Sequence, residues 1–164
     1  MQLEKYQNVK TIIFLLIIFF TIWFAFWKIL LFFEKRVEVV SSYSQEKFAD
    51  PKGYKFFIDE KRNQVDDDRL ILRGWFFKKG VDIQKVSMYV VLHDLKAEKW
   101  LILPTSIIKR QDVTDFFHDG HNYDYSGFYT NISRKYLLDK KNTDYKFYIL
   151  HRLNYEDERL VIID

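Results

Sequence analysis

The chain has 164 residues, a net charge of +3 and no cysteine. A disulfide framework, a thiolate metal site and a cysteine nucleophile are therefore excluded. Residues 1–33 hold Lys5, Lys10 and Lys28 against Glu4 alone, which leaves the remainder nearly neutral. A neutral, mixed-sign domain lacks the concentrated basic face that nucleic acid requires.

Residues 1–10 read as a short cytoplasmic tail, and residues 11–33, TIIFLLIIFFTIWFAFWKILLFF, as a transmembrane helix. At ~1.5 Å per residue this run covers ~34 Å, slightly more than the ~30 Å hydrocarbon layer. It is too long for the apolar region of a cleaved signal and is followed by bulky, charged residues, so it reads as an uncleaved signal-anchor. It is also apolar around its whole circumference, unlike a helix that packs one face on a core. Lysines flank both ends, so charge alone does not orient it. A single N-terminal anchor before a folded domain favours a cytoplasmic N-terminus and an extracytoplasmic C-terminal domain. Lys28 lies near the end of the run, where its stem can snorkel to the interface beside the ring anchors Trp23 and Trp27. The competing reading pairs Lys28 with an acidic residue of a multispanning membrane partner, with both tryptophans at that contact.

Residues 34–53 are expected to form a stalk, ending in Ala-Asp-Pro-Lys-Gly. From Tyr54 the pattern becomes period two. Tyr54, Phe56 and Ile58 alternate with Lys55, Phe57 and Asp59, and Leu70, Leu72 and Phe76 share a face. So do Val86, Met88, Val90 and Leu92, and likewise Tyr145, Phe147, Ile149 and Leu153. Trp100 with Ile102, Phe128 with Ile132, and Leu160 with Ile162 mark three further segments. About seven strands separated by turn signals predict an all-β fold, an antiparallel immunoglobulin-like sandwich over residues 54–164. One short helix is expected from Asp112 to His118, capped by Asp112.

Chemistry is sparse. His118-Asp119-Gly120-His121 supplies two imidazoles and a carboxylate but no third ligand, so no metal is expected. The catalytic motifs G-x-S-x-G and H-E-x-x-H and any glycine-rich phosphate loop are missing, with only 5 glycines in the chain. Neither enzymatic activity nor a cofactor is expected. Aromatic residues make up 19% of the chain, and rings on a rigid sheet can stack on sugars while Asp and Arg bond the hydroxyls. Candidate ligand-binding residues are Tyr123, Tyr125, Trp75, Trp100, Arg110 and Asp112. Core packing is the stronger reading for Trp75 and Trp100, whereas Tyr123 and Tyr125 fall in a loop.

Leu72-Arg73-Gly74-Trp75-Phe76, Arg110-Gln111-Asp112-Val113 with Phe116, and Ser126-Gly127-Phe128 resemble the small immunoglobulin-like modules that accompany bacterial surface-polysaccharide glycosyltransferases and envelope proteins. The chain departs from that pattern by lacking a transferase domain. The resemblance implies a non-catalytic, single-pass accessory protein for cell-surface glycan assembly or export, with the bilayer and a multispanning membrane protein as partners. The alternative is a membrane-tethered, lectin-like module that binds a glycan on its own. In physical terms, Gly74 and Gly127 are expected to permit close backbone approach between sheets, and Arg110 to pair with Asp112.

Overall fold

The computed structural model describes residues 2–33 and 37–164. The chain divides into two units, Met1–Arg36 and Val37–Asp164. The first is the helix α1, Gln2–Phe33, which already includes residues 2–10, expected as a separate tail. Within it Ile12–Ile29 is long and apolar enough to cross a bilayer, and every side chain in that stretch is exposed.

In the second unit, nine antiparallel strands form two sheets among the described residues. They are β1 (Glu38–Val40), β2 (Tyr54–Arg62), β3 (Arg69–Lys78), β4 (Val86–Asp94), β5 (Lys99–Ile102), β6 (Ser106–Ile108), β7 (Gly127–Ser133), β8 (Tyr145–Leu153) and β9 (Arg159–Ile162). The five-stranded sheet runs β1-β5-β4-β8-β9 and the four-stranded sheet β2-β3-β7-β6. Seven of these are the predicted strands. The other two, β1 and β6, are three residues long, too short to carry an alternating signal of their own.

The alternating faces meet between the sheets. Leu70, Leu72 and Phe76 of β3 and Phe128 and Ile132 of β7 pack with Met88, Val90 and Leu92 of β4 and Phe147 and Ile149 of β8. Pro104 moves the chain from one sheet to the other. The ladder between β4 and β5 continues as far as the Leu103 N–H on the Val90 carbonyl, after which proline has no N–H to donate. The Thr105 hydroxyl then accepts from the Val90 N–H at 2.8 Å, and the next residues enter the four-stranded sheet as β6.

The five-stranded sheet is apolar on its outer face as well. Val91, Trp100, Tyr148, Leu150 and Leu160 form a second buried cluster there. Of the segment expected as a stalk, Val40, Tyr43 and Phe48 instead pack onto this face and Val37 and Ala49 against the core between the sheets, while 34–36 lie outside the described residues. β1 pairs with β5 at one edge; Tyr43 and Phe48 then pack edge-on against Trp100 at 5.2 and 5.8 Å. Phe48 bridges Leu160 of β9 at the opposite edge. Arg159 donating to the Glu46 carbonyl and the Lys47–Glu158 pair at 3.1 Å fasten this strap, which seals rings that would otherwise face water.

Among the buried polar side chains, two are basic. Arg134 is 3% exposed and donates to the Lys140 and Asn142 carbonyls and the Asn63 side-chain carbonyl, tying down the β7–β8 crossover. His151 is 2% exposed and sits between the rings of Tyr54 and Phe76, each 5.0 Å away, with no partner on either ring nitrogen. Burial pushes its imidazole from 6.5 down to about 4. The unfolded chain therefore binds the proton more readily, so the stability contributed by neutral His151 is complete above the unfolded value and is lost as pH falls from 6.5 toward 4. Urea unfolding of the detergent-solubilised chain should show a loss of about 2 kcal/mol between about pH 7.5 and about pH 5 from this group. His151→Leu should flatten that part of the pH profile.

Candidate functional site

β3 places Leu70, Leu72 and Phe76 toward the core, so Trp75 and Phe77 stand on the outer face of the four-stranded sheet. Across the ladder, Trp75 lies opposite Phe57 of β2 on one side and Gly127 of β7 on the other. Phe57 and Trp75 are near-parallel, 24° apart with centroids 6.3 Å apart, and Trp75 and Phe77 follow at 25° and 5.5 Å. Phe117, from the short helix α2 (Gln111–Phe117), meets Trp75 and Phe77 edge-on at 5.7 and 4.9 Å. The result is a row of rings open at one end. Phe57 is 58% exposed, Trp75 is half-buried and Phe77 is fully covered.

Beside the open end lies an arginine clamped by two carboxylates. Arg110 forms a bidentate pair with Asp112, Nε donating to Oδ1 at 2.9 Å and Nη2 to Oδ2 at 2.8 Å, while Nη1 reaches Asp59 Oδ2. The bonds to Asp112, and then those to Asp59 against the cost of partial burial, raise the pKa of Arg110 further, and the same guanidinium lowers that of Asp112. Such a pair stays ionised across physiological pH. Gly127 makes the geometry possible. A Cβ there would meet the Ile108 carbonyl at 2.5 Å and Arg110 Cγ at 2.7 Å, so the missing side chain leaves the path along which the arginine stem lies. Gly74 likewise gives way to the Phe57 carbonyl. Both approaches are to neighbouring strands of the same sheet, not between sheets as the sequence reading expected. The reason is register: each glycine sits where an adjacent strand or its flanking segment crowds the ladder, and β2 carries a bulge between Ile58 and Glu60.

The loop after α2 differs from expectation. Tyr123 is fully buried, stacked on Phe77 at 3.9 Å, and its hydroxyl donates to Asp119 and accepts from the Gly80 N–H. It is a structural ring and offers no face to a ligand. The Thr114 hydroxyl pins it from α2 by accepting from the Tyr123 N–H and donating to Asp124. Tyr125 is 48% exposed and remains open to solvent. Asp112 does not cap α2 with its side chain, because Arg110 holds it. His118 adopts a left-handed conformation that ends the helix, and His121 Nδ1 faces Asp82 at 3.4 Å without hydrogen-bond geometry. No three His, Asp or Glu side chains converge as metal ligands among the described residues.

Trp100 belongs to the other sheet. It is 8% exposed under the strap, with His93 stacked on it at 4.0 Å and 5°. The fold thus brings together Trp75, Arg110 and Asp112, buries Tyr123 beneath them, and places Trp100 on the opposite outer face. In α1, Lys28 Nζ lies 5.4 Å from the Phe24 ring, and Trp23 and Trp27 are both more than half exposed. The sequence reading missed Phe57, Asp59 and Phe117. An available signal was Phe57 itself, an aromatic between Lys55 and Asp59 on the polar side of the β2 alternation. No family model, curated protein sequence or solved structure matches the chain.

Gly127→Ala should push β6 and the arginine stem aside and lower stability by about 1–3 kcal/mol. Thermal unfolding beside a Gly53→Ala control, where nothing lies within 4 Å of the added methyl, would measure it. Equal stability of the two variants would contradict the crowding.

Proposed function

We propose that the chain is a single-pass bacterial membrane protein whose sandwich lies outside the cytoplasmic membrane. It serves, without catalysis, as an accessory to cell-surface glycan assembly or export. The observation that carries this reading is the convergence of the three short segments on which the family resemblance rests. The Phe76 N–H donates to the Ser126 carbonyl at 2.9 Å, Trp75 pairs with Gly127 and Gly74 with Phe128, and the Arg110 stem lies over Gly127. Segments scattered over some fifty residues of sequence form one corner of one sheet, which supports reading them as a single inherited unit.

Strand order supports the immunoglobulin-like assignment. The sheet β2-β3-β7-β6 faces β9-β8-β4-β5, with the chain alternating between sheets as in a seven- to nine-stranded Greek-key sandwich of that class. The apolar helix supports the anchoring. In the chain, residues 34–37 separate the end of α1 from β1. This suits a module that acts beside a membrane-embedded partner. Lys28, Trp23 and Trp27 are the anchor residues proposed to meet it.

The second reading, a tethered lectin-like module acting alone, is favoured by one observation, the solvent-facing Phe57–Trp75 pair. Purification of the tagged full-length chain from detergent extracts separates the two readings. The accessory reading expects a multispanning membrane protein in near-stoichiometric yield, and recovery of the chain alone would contradict it.

A further inference from the structure

We propose that the outer face of the four-stranded sheet is a binding platform for a neutral pyranose glycan, with the open ring of Phe57, backed by Trp75, as its stacking surface and Asp59 and Asp112 as its hydroxyl acceptors. This deepens the proposed role in glycan assembly by naming the surface and the ligand chemistry. It also rests on that reading.

The argument begins with exposure. Phe57 stands at a strand position where β2 otherwise places Lys55 and Asp59, and more than half of it faces solvent. Phe57 thus leaves a ring open to solvent at the end of the stacked row. The neighbouring Trp75 ring lies near-parallel behind it, 24° apart with centroids 6.3 Å apart, so Phe57 ends a row of stacked rings. A pyranose is matched to this, because its axial C–H groups pack on ring faces while its hydroxyls project sideways.

The rim supplies what those hydroxyls need. Asp59 and Asp112 are 30% and 63% exposed, and Arg110 fixes both, so they present lone pairs without having to be ordered on binding. Preorganised acceptors lose little rotamer entropy, which separates this arrangement from a patch of mobile surface acids. Lys109 is paired with Asp124 at 3.1 Å, and Arg110 between two carboxylates leaves this corner one negative charge in excess. That excess repels an anionic polymer and leaves hydrogen bonds and ring contact to a neutral sugar. Arg110 is a positioning residue here. Each of its three nitrogens donates to a carboxylate, and it acts on the ligand by holding them.

The test uses the full-length chain in detergent micelles on an array of neutral oligosaccharides and polysaccharides, with anionic polysaccharides alongside. Binding to at least one neutral pyranose polymer is expected. Phe57→Ala should weaken it by at least about tenfold, as should the Asp59→Asn, Asp112→Asn double variant, while Tyr125→Ala should stay within about twofold of the parent. Phe57 is the more exposed of the two rings, so its truncation leaves the sandwich core untouched, and an unchanged melting temperature verifies that. Arg110→Lys should weaken binding while lowering stability little, since the charge remains but the bidentate geometry is lost. The inference is overturned if no neutral glycan binds, if binding is confined to anionic polymers, if Phe57→Ala binds as the parent does, or if that variant instead abolishes self-association. Failure of glycan binding with a membrane partner still recovered removes this inference and leaves the accessory reading standing. Glycan binding with no membrane partner recovered removes the accessory reading and leaves this surface to the tethered, lectin-like module.

Discussion

Between Ile12 and Ile29 the helix α1 exposes apolar side chains in every direction, and that surface has no solvent in an aqueous compartment. Its backbone satisfies itself internally, as the hydrocarbon interior demands, and its one charged side chain in that stretch, Lys28, lies toward the C-terminal end. A helix of this length and composition is able to cross a bilayer, and on the proposed reading lipid supplies the environment that resolves this constraint.

The sandwich meets a second constraint, an internal one. A sheet in a two-layer fold ordinarily has one apolar face, but the five-stranded sheet has two, because β5, β8 and β9 alternate apolar residues with other apolar residues. Trp100, Tyr148 and Leu160 need a cover that the second sheet cannot provide. The strap from β1 to Phe48 supplies it. On the outer face of the other sheet, α2 and the loop after it cover Phe77, while Phe57 and the clamped Arg110 lie at the part left open. One outer face is closed by the segment next to the anchor, and the other is open to solvent in part.

How far the sequence revealed this depends on the element. Strands such as β4 and β8 were legible because apolar residues recur at every second position on the side facing the core, Met88, Val90 and Leu92 in one and Phe147 and Ile149 in the other. β1 and β6 were not, since three residues carry no period and their pairing is set by partners far away in sequence. The strap looked like a stalk because Ser, Gln and charged residues dominate its composition, while Tyr43 and Phe48, which do the covering, are isolated. At the site, the pairing of Arg110 with Asp112 was legible from their spacing, but Asp59 is 51 residues from Arg110 and enters only through sheet register. Tyr123 misled because loops are ordinarily exposed. Here Phe77 supplies a stacking partner and Asp119 and Gly80 satisfy the hydroxyl, so the loop folds inward.

Sidedness is the most direct measure of whether the helix is a true membrane span that carries the sandwich outside. The absence of cysteine makes it straightforward to measure, because single cysteines placed at Gln7 and at Lys140 are then the sole thiols in their variants. With a membrane-impermeant maleimide on intact bacterial cells, the account predicts labelling at position 140 and protection at position 7 until the membrane is permeabilised. Labelling at position 7 with protection at 140, or recovery of the chain in the soluble fraction, would contradict it.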